Sequence, residues 1–268
     1  MAKRTLSNQA LKKRIDKWLQ EDPASLVSKS MEKAVAPLQG LVALLLPERL
    51  IQEALEKTLW VAEAVTDRDD VLTALAAGSL SDAKLCKIER CDSVADGIHN
   101  WAIGTAAALG AWDLAGPLGT AASLVSLFTV ALRLIKKVGL CYGFDTSKAD
   151  EEVVVLQIFA AATGLTRTDK EQALNALKKD EFGDEVGREA VHAVLEKVAR
   201  QVAVSLARRR ALANIPVLGA IVGGSTNAWL IRDIGWAARN LYAWRRLNSV
   251  VVDDTEQGGG VVPVAQAA

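Results

Sequence analysis

Two stretches of small and apolar residues limit the folds that this sequence can adopt. The first, Trp101–Asp145, is rich in Gly and Ala and ends in the polar turn Cys-Tyr-Gly-Phe-Asp. The second, Leu212–Arg246, is nearly free of charge in its first half, and its second half carries arginines among three tryptophans. Small residues such as Gly219 and Gly223 recur at helical steps, which lets two helix backbones approach closely. We therefore predict two Gly/Ala-rich apolar helical hairpins.

The rest of the chain also favours helices. Residues 48–65 repeat apolar side chains at helical spacing, and Ser81 or Asp82 is placed to cap a helix that continues to about Gly97. The segment 153–159 is β-rich in composition, but its acidic and Ala-rich flanks favour a buried helix. No segment alternates apolar and polar residues, as a β-strand does, before a hairpin turn. We predict an all-α fold, with a single multi-helix domain built round the two hairpins.

The ends of the chain differ from its middle. We predict an amphipathic basic helix over residues 1–22 and the all-α domain over residues 23–248. Residues 249–268 include three consecutive glycines, and we predict that they form a disordered tail. Two interpretations of the basic helix are open: it docks on the domain with its charges solvated, or it lies on an anionic membrane surface. The cations predicted for a membrane surface are Lys12, Lys13, Arg14, Arg208, Arg209 and Arg210.

Composition disfavours some functions and favours one compartment. Lys+Arg and Asp+Glu both number 32, so the chain lacks the basic surplus that nucleic-acid binding needs. A chain without net charge also lacks repulsion between copies, so self-association remains an alternative. Half of the residues are hydrophobic, which makes a relation to membranes a question to test. The N-terminus lacks an apolar signal core, and an odd number of cysteines favours a reducing compartment. We expect a cytoplasmic protein, peripheral to the inner face of the cell membrane.

No motif predicts catalysis, a metal or a cofactor. A regular helix would put Cys86 and Cys91 on different faces, which disfavours a zinc site with His99. The sequence has no Gly-x-Ser-x-Gly motif, and neither His99 nor His192 has an evident nucleophile beside it. The glycines near Gly219 lack the Lys-Ser/Thr of a phosphate-binding loop. We predict no catalytic residue, no metal and no cofactor.

Polar residues inside the apolar hairpins are the candidates for a site. Because unpaired buried charges cost several kcal/mol, Asp113 with Arg133 is a predicted ion pair, and Asp233 is expected to pair with an arginine of the other hairpin. Two roles are open: a structural network that sets the helix register, or a polar spot in a hydrophobic cavity that binds a lipid or an apolar peptide. The complete set is Asp113, Arg133, Tyr142, Asp145, Asn227, Arg232 and Asp233.

Two sets of short motifs follow one another in these stretches. The first set is Asp113-Leu114, Leu132–Ile135 and Tyr142–Asp145. The second set is Ile215–Gly224, Asn227-Ala228, Arg232–Gly235, Ala237–Arg239 and Tyr242. In these motifs the chain resembles the EcsC family of bacterial proteins, with departures at Ala115-Gly116 and Asn240-Leu241. The resemblance implies an α-helical bacterial protein, and the family carries no established activity that could be transferred.

Two functional hypotheses from different classes follow. The first is a non-enzymatic, membrane-associated accessory protein that binds lipid or an integral membrane protein through the apolar hairpins. The alternative is a soluble helical carrier or scaffold with a buried hydrophobic cavity. Interruptions of the apolar runs favour the second hypothesis, whereas cations that flank those runs, such as Lys136, Lys137, Arg245 and Arg246, favour the first.

Overall fold

A computed structural model describes residues 8–20, 48–113, 121–163, 175, 188–213 and 226–256. These residues form nine α-helices and no strand, so the all-α prediction is confirmed. In chain order the helices are α1 Asn8–Gln20, α2 Glu48–Val65, α3 Arg68–Leu75, α4 Leu80–Leu85, α5 Ile88–Asp113, α6 Ala121–Cys141, α7 Ala149–Thr163, α8 Arg188–Ala213 and α9 Thr226–Glu256.

Helix α6 is the centre of the domain. It packs against α2, α3, α5, α7 and α9, and its second half is buried on every side. Its apolar residues suit this central position, and Phe128, Leu132 and Ile135 accordingly have almost no exposed surface. Helix α7 is buried along nearly its whole length, which confirms that the β-rich segment 153–159 is a buried helix.

Helix α4 departs from the sequence-based expectation. The hydroxyl of Ser79 accepts a hydrogen bond from the backbone N–H of Asp82 at 3.1 Å, so Ser79 is the N-cap rather than Ser81 or Asp82. The chain then leaves the helical conformation at Cys86 before α5 begins. The one helix predicted over this region is therefore two helices, and the break directs α5 along α6.

The first apolar stretch supplies the second half of α5 and all of α6, which pack against each other. Tyr142, at the end of α6, bonds to Asp92 near the start of α5, and Arg133 lies over Trp101 further along α5, so the two helices run antiparallel. The second stretch contains the first part of α9, which continues beyond it to Glu256, within the segment assigned to a tail. Residues 214–225 and 257–268 lie outside the described residues, so the second hairpin stays a prediction.

Candidate functional site

A buried polar network joins α1, α5, α6 and α9 at Asp92. Arg14 donates two hydrogen bonds to this carboxylate at 2.8 and 2.9 Å, and Arg239 donates two more at 3.0 and 3.3 Å. The Tyr142 hydroxyl donates another at 2.9 Å, and Arg239 also pairs with Asp96. Because Asp92 is only 5% exposed, its charge depends on these donors.

The network sets protonation states that suit a structural role. Burial on its own raises the pKa of Asp92, but hydrogen bonds from Arg14 and the charges of Arg239 and Arg14 outweigh burial and hold that pKa below its usual range. Burial and the neighbouring Asp92 charge raise the pKa of Tyr142, so its hydroxyl remains a donor. The carboxylate of α5 is thus ionised and enclosed by side chains from α1, α9 and the end of α6, which makes it an anchor for the packing of these four helices.

His99 forms a second contact between α5 and α9. Its Nε2–H donates to the carbonyl of Arg232 at 3.0 Å, and its ring meets Trp236 edge-on, with the ring centroids 6.1 Å apart. Burial, followed by the positive charge of Arg239, lowers the pKa of His99 from 6.5 to about 4. The imidazole is therefore neutral at physiological pH and acts as a hydrogen-bonded core residue.

Acidification is expected to destabilise the protein through His99. Between its ordinary pKa of 6.5 and its folded value of about 4, the unfolded chain binds a proton that the folded chain does not. The free energy of unfolding should therefore decrease as the pH is lowered through this window, by roughly 3 kcal/mol in total. Urea denaturation at several pH values would measure this slope in the wild type and in His99→Gln, in which the slope should be much smaller. An unchanged slope in His99→Gln would contradict the assignment to this buried ring.

Most of the predicted site residues take part in packing or surface pairs. Asp145 accepts from Arg68 and from the hydroxyl of Ser147 after the turn that ends α6. Asp233 pairs with the neighbouring Arg232 at 3.3 Å on an exposed part of α9. Among the other predicted residues, Tyr142 belongs to the Asp92 network described above, and Asn227 is half-buried at the start of α9.

The cations predicted for a membrane surface have different environments. Lys12 and Lys13 are exposed on α1, which packs on α9. Arg14 instead turns inward and pairs with Asp92 at 2.8 Å. Arg208, Arg209 and Arg210 lie in α8, with side chains outside the described residues.

Several cations near the ends of the two apolar stretches pair inside the protein. Lys136 is completely buried and donates to Glu63 and, at 2.9 Å, to the carbonyl of Thr146. Arg245 makes two hydrogen bonds to the buried carboxylate of Glu151 at 2.7 and 2.8 Å. These cations hold the bundle together. In the described part of the chain, no helix combines the length and the hydropathy needed to cross a bilayer.

Among the predicted site residues with described side chains, Arg133 lines an open space. Its Nε donates to the carbonyl of Val65 at 2.9 Å, and its guanidinium lies over the ring of Trp101 at 5.2 Å from the centroid. The side chain of its predicted partner, Asp113, lies outside the described residues. Within the described part of the chain, neither Nη group of Arg133 makes a hydrogen bond.

This open space is a cleft of about 400 Å³ between α5 and α6. Its charged lining residues are Asp70, Arg133 and Lys137, and Lys137 donates to Asp70 at 3.1 Å. Trp101 at the cleft is 58% exposed, so the cleft lies at the protein surface. The other lining residues are small or apolar: Gly97, Ile98, Ala102, Val130 and Leu134. Such a mixed lining suits an amphiphile, with one part for an apolar group and another for a charge.

A comparison with models of protein families identifies the family of this chain. The model of the EcsC protein family matches residues 9–247, which is most of the sequence. The chain belongs to the EcsC protein family. Neither a search of curated proteins nor a search of solved structures found a match to this EcsC protein.

The motifs that carry the EcsC resemblance supply many of the contacts described above. Tyr142 and Arg239 hold Asp92, and Gly235 gives room to the His99 ring. Gly143 has a φ of 82°, which favours glycine. In this EcsC protein the motifs therefore mark the helix framework, while the cleft lies partly beyond them.

Sequence reasoning missed Trp101, Lys137 and Asp70 as parts of a site. A signal existed on α6, where Val130, Arg133, Leu134 and Lys137 are spaced as one stripe of a helix. Two cations in an otherwise apolar stripe could have marked this face. The contribution of Asp70 could not be found in this way, because α3 reaches the cleft only through tertiary packing. Among the described residues, no group of three or more His, Cys, Asp or Glu is arranged to hold a metal ion.

Proposed function

We propose that this EcsC-family chain is a non-enzymatic, peripheral membrane protein that binds lipid in the cleft between α5 and α6. One observation carries the proposal: Trp101 is 58% exposed beside a cleft with apolar walls and the cationic Arg133. Tryptophan favours the boundary between apolar and aqueous surroundings because its ring is apolar and its N–H is polar. Arginine beside it suits the anionic head groups found at the same boundary.

The ion pairs of the bundle support binding at the surface in preference to hairpin insertion. Inserting α6 would require the completely buried Lys136 to leave its carboxylate partners, Glu63 and Glu152. Separating a buried ion pair is costly, because each charge is left without compensation. Lys12 and Lys13 of α1 are exposed while that helix is docked, which suits contact with anionic lipid.

The charged residues of the cleft support binding in preference to catalysis. Its described lining contains one carboxylate and two cations, with Lys137 already paired to Asp70. A nucleophile with an adjacent base is not among these residues. The nearby charged network at Asp92 is enclosed and serves helix packing.

Gly97→Leu is expected to weaken lipid binding at least about tenfold. A Cβ built at Gly97 meets no atom within 4 Å, so a leucine has room to extend into the cleft that this residue lines. The leucine would displace an apolar group of similar size, whose burial contributes about 1.5–3 kcal/mol. Co-sedimentation with vesicles of phosphatidylglycerol, compared with phosphatidylcholine, would measure the change.

Gly104→Leu is the matched control. Gly104 lies on the same helix, a Cβ there also meets nothing within 4 Å, and the residue does not line the cleft. Both substitutions replace a helical glycine with a better helix former, so neither should reduce folding. Equal vesicle binding by the two variants would overturn the proposed site, and absence of vesicle binding by the wild type would overturn the proposed function.

A further inference from the structure

We infer that the cleft takes a single-chain amphiphile with an anionic head group, and that Asp70 is a resident counter-ion which this head group displaces. The inference rests on the proposed function and specifies its ligand. The head group would bind Arg133 and Lys137, and the chain would lie against the apolar walls. The argument comes from the charge balance of the lining, the position of one guanidinium and the size of the cleft.

The charge of the cleft is only partly compensated. Arg133 and Lys137 are four residues apart, so they lie on one face of α6, and two like charges at this spacing repel each other. Among the described lining residues Asp70 is the one acid, and it pairs with Lys137. The three charged lining residues therefore carry a net charge of about +1 at neutral pH, which an anion would neutralise.

Lys136, which precedes Lys137 on α6, is a cation whose charge is fully compensated by neighbouring carboxylates. Lys136 lies between the carboxylates of Glu63 and Glu152, and its ammonium group also donates to the carbonyl of Thr146. Arg133, by contrast, has no acidic partner among the described residues and donates only to the carbonyl of Val65. The uncompensated positive charge is therefore that of Arg133, which lines the cleft.

Arg133 is positioned for an anion before the ligand arrives. The bond from its Nε to Val65 and the ring of Trp101 hold the guanidinium in place, which leaves both Nη groups to donate. Two parallel N–H donors match the two oxygens of a carboxylate or a phosphate. Little ordering is needed on binding, so more of the interaction contributes to affinity.

Asp70 is suited to being displaced. Its carboxylate is 63% exposed, whereas Lys137 is nearly buried. An ion pair with one solvated partner contributes little, so its replacement by another anion is easy. Asp70 also repels an approaching anion, and it therefore lowers the affinity of the cleft while the site is empty.

The cleft as a whole has room for one chain. Its volume of about 400 Å³ lies near the lower end of the range of roughly 300–1,000 Å³ that is typical of small-molecule sites. Its apolar lining comes from Ile98 and Ala102 of α5 and from Val130 and Leu134 of α6. A single acyl chain fits this space better than two chains.

Calorimetric titration of the full chain with three ten-carbon amphiphiles tests the inference. Decanoate and decyl phosphate, kept below their critical micelle concentrations, should bind, and decyltrimethylammonium should not. Asp70→Asn should tighten decanoate binding about threefold or more, because the competing anion is removed. Arg133→Gln should weaken it about tenfold or more, because the charged donor fork is lost.

Asp69→Asn is the matched control for Asp70→Asn. Asp69 is exposed on the same helix and does not line the cleft, so its substitution changes the net charge equally and should leave decanoate binding unchanged. Equal tightening by both variants would overturn the counter-ion role. Weaker decanoate binding in Asp70→Asn would overturn it as well. Equal binding of decyltrimethylammonium and decanoate by the wild type would overturn anion selectivity.

The proposed function and the ligand class fail in different ways. If Gly97→Leu weakens vesicle binding but decanoate does not bind, the lipid site stands and the single-chain anionic ligand is wrong. If Gly97→Leu and the wild type bind vesicles equally, the proposed site itself fails. Thermal unfolding of every variant would verify that lost binding is not lost folding.

Discussion

Replacing Gly235 with Ala is expected to lower the free energy of unfolding by about 3–5 kcal/mol. A Cβ at this position would lie 2.0 Å from Cδ2 and 2.3 Å from Nε2 of His99, closer than atoms can approach. The His99 ring is only 3% exposed, and it is held by its bond to the carbonyl of Arg232 and by its edge contact with Trp236. To make room for the added methyl group, either the His99 ring loses its hydrogen bond to Arg232 or α5 and α9 move apart.

Urea denaturation of two comparison variants tests this explanation. Gly104→Ala also adds a Cβ to a helical glycine, but in open space, so it should stabilise the protein by roughly 0.5–1 kcal/mol. In a His99→Ala background the ring is absent, and Gly235→Ala should then cost less than about 1 kcal/mol. If Gly235→Ala is as harmful in that background as in the wild type, the contact with His99 is not the cause.

Asp92→Asn is expected to cost about 3–5 kcal/mol of stability, although the amide has nearly the shape of the carboxylate. The substitution removes the negative charge that Arg14 and Arg239 share, and Arg239 is only 4% exposed. An amide NH₂ group would also point a donor at one of these guanidinium groups. Because Arg14 comes from α1 and Arg239 from α9, docking of α1 should weaken as well.

Asp96→Asn provides the matched comparison on the same helix. Asp96 pairs with Arg239 too, but its carboxylate is about half exposed, so the loss should be under about 1 kcal/mol. Chemical denaturation would rank the two variants, and protease cleavage near α1 would report its docking. Equal stability of Asp92→Asn and Asp96→Asn would mean that burial of the Asp92 pair does not control the fold.

Sequence patterns predicted those parts of the fold that depend on neighbouring residues. The helix over 48–65 has the predicted bounds, and the segment 153–159 is a buried helix despite its β-rich composition. Both follow from periodicity and flanking residues, which act within a few helical turns. The family resemblance, confirmed by the match over residues 9–247, likewise rested on short local motifs.

The candidate site was predictable only in part. Arg133 was identified as a polar residue in an apolar stretch, yet its contacts are Val65 and Trp101, which no local pattern connects to it. Asp92 was not singled out, because its partners Arg14 and Arg239 lie 78 and 147 residues away in the sequence. Pattern reasoning detects a polar residue on an apolar face, but it does not identify the residue that neutralises it.

By itself, the sequence determined that this chain is helical, that it belongs to the EcsC family and that small residues allow its helices to pack closely. Only the tertiary structure decided which cations are structural. Lys136 and Arg14 are neutralised inside the bundle, whereas Arg133 faces a cleft. The physical reason is that helical periodicity is a local property, while the cost of a buried charge depends on side chains brought from distant segments.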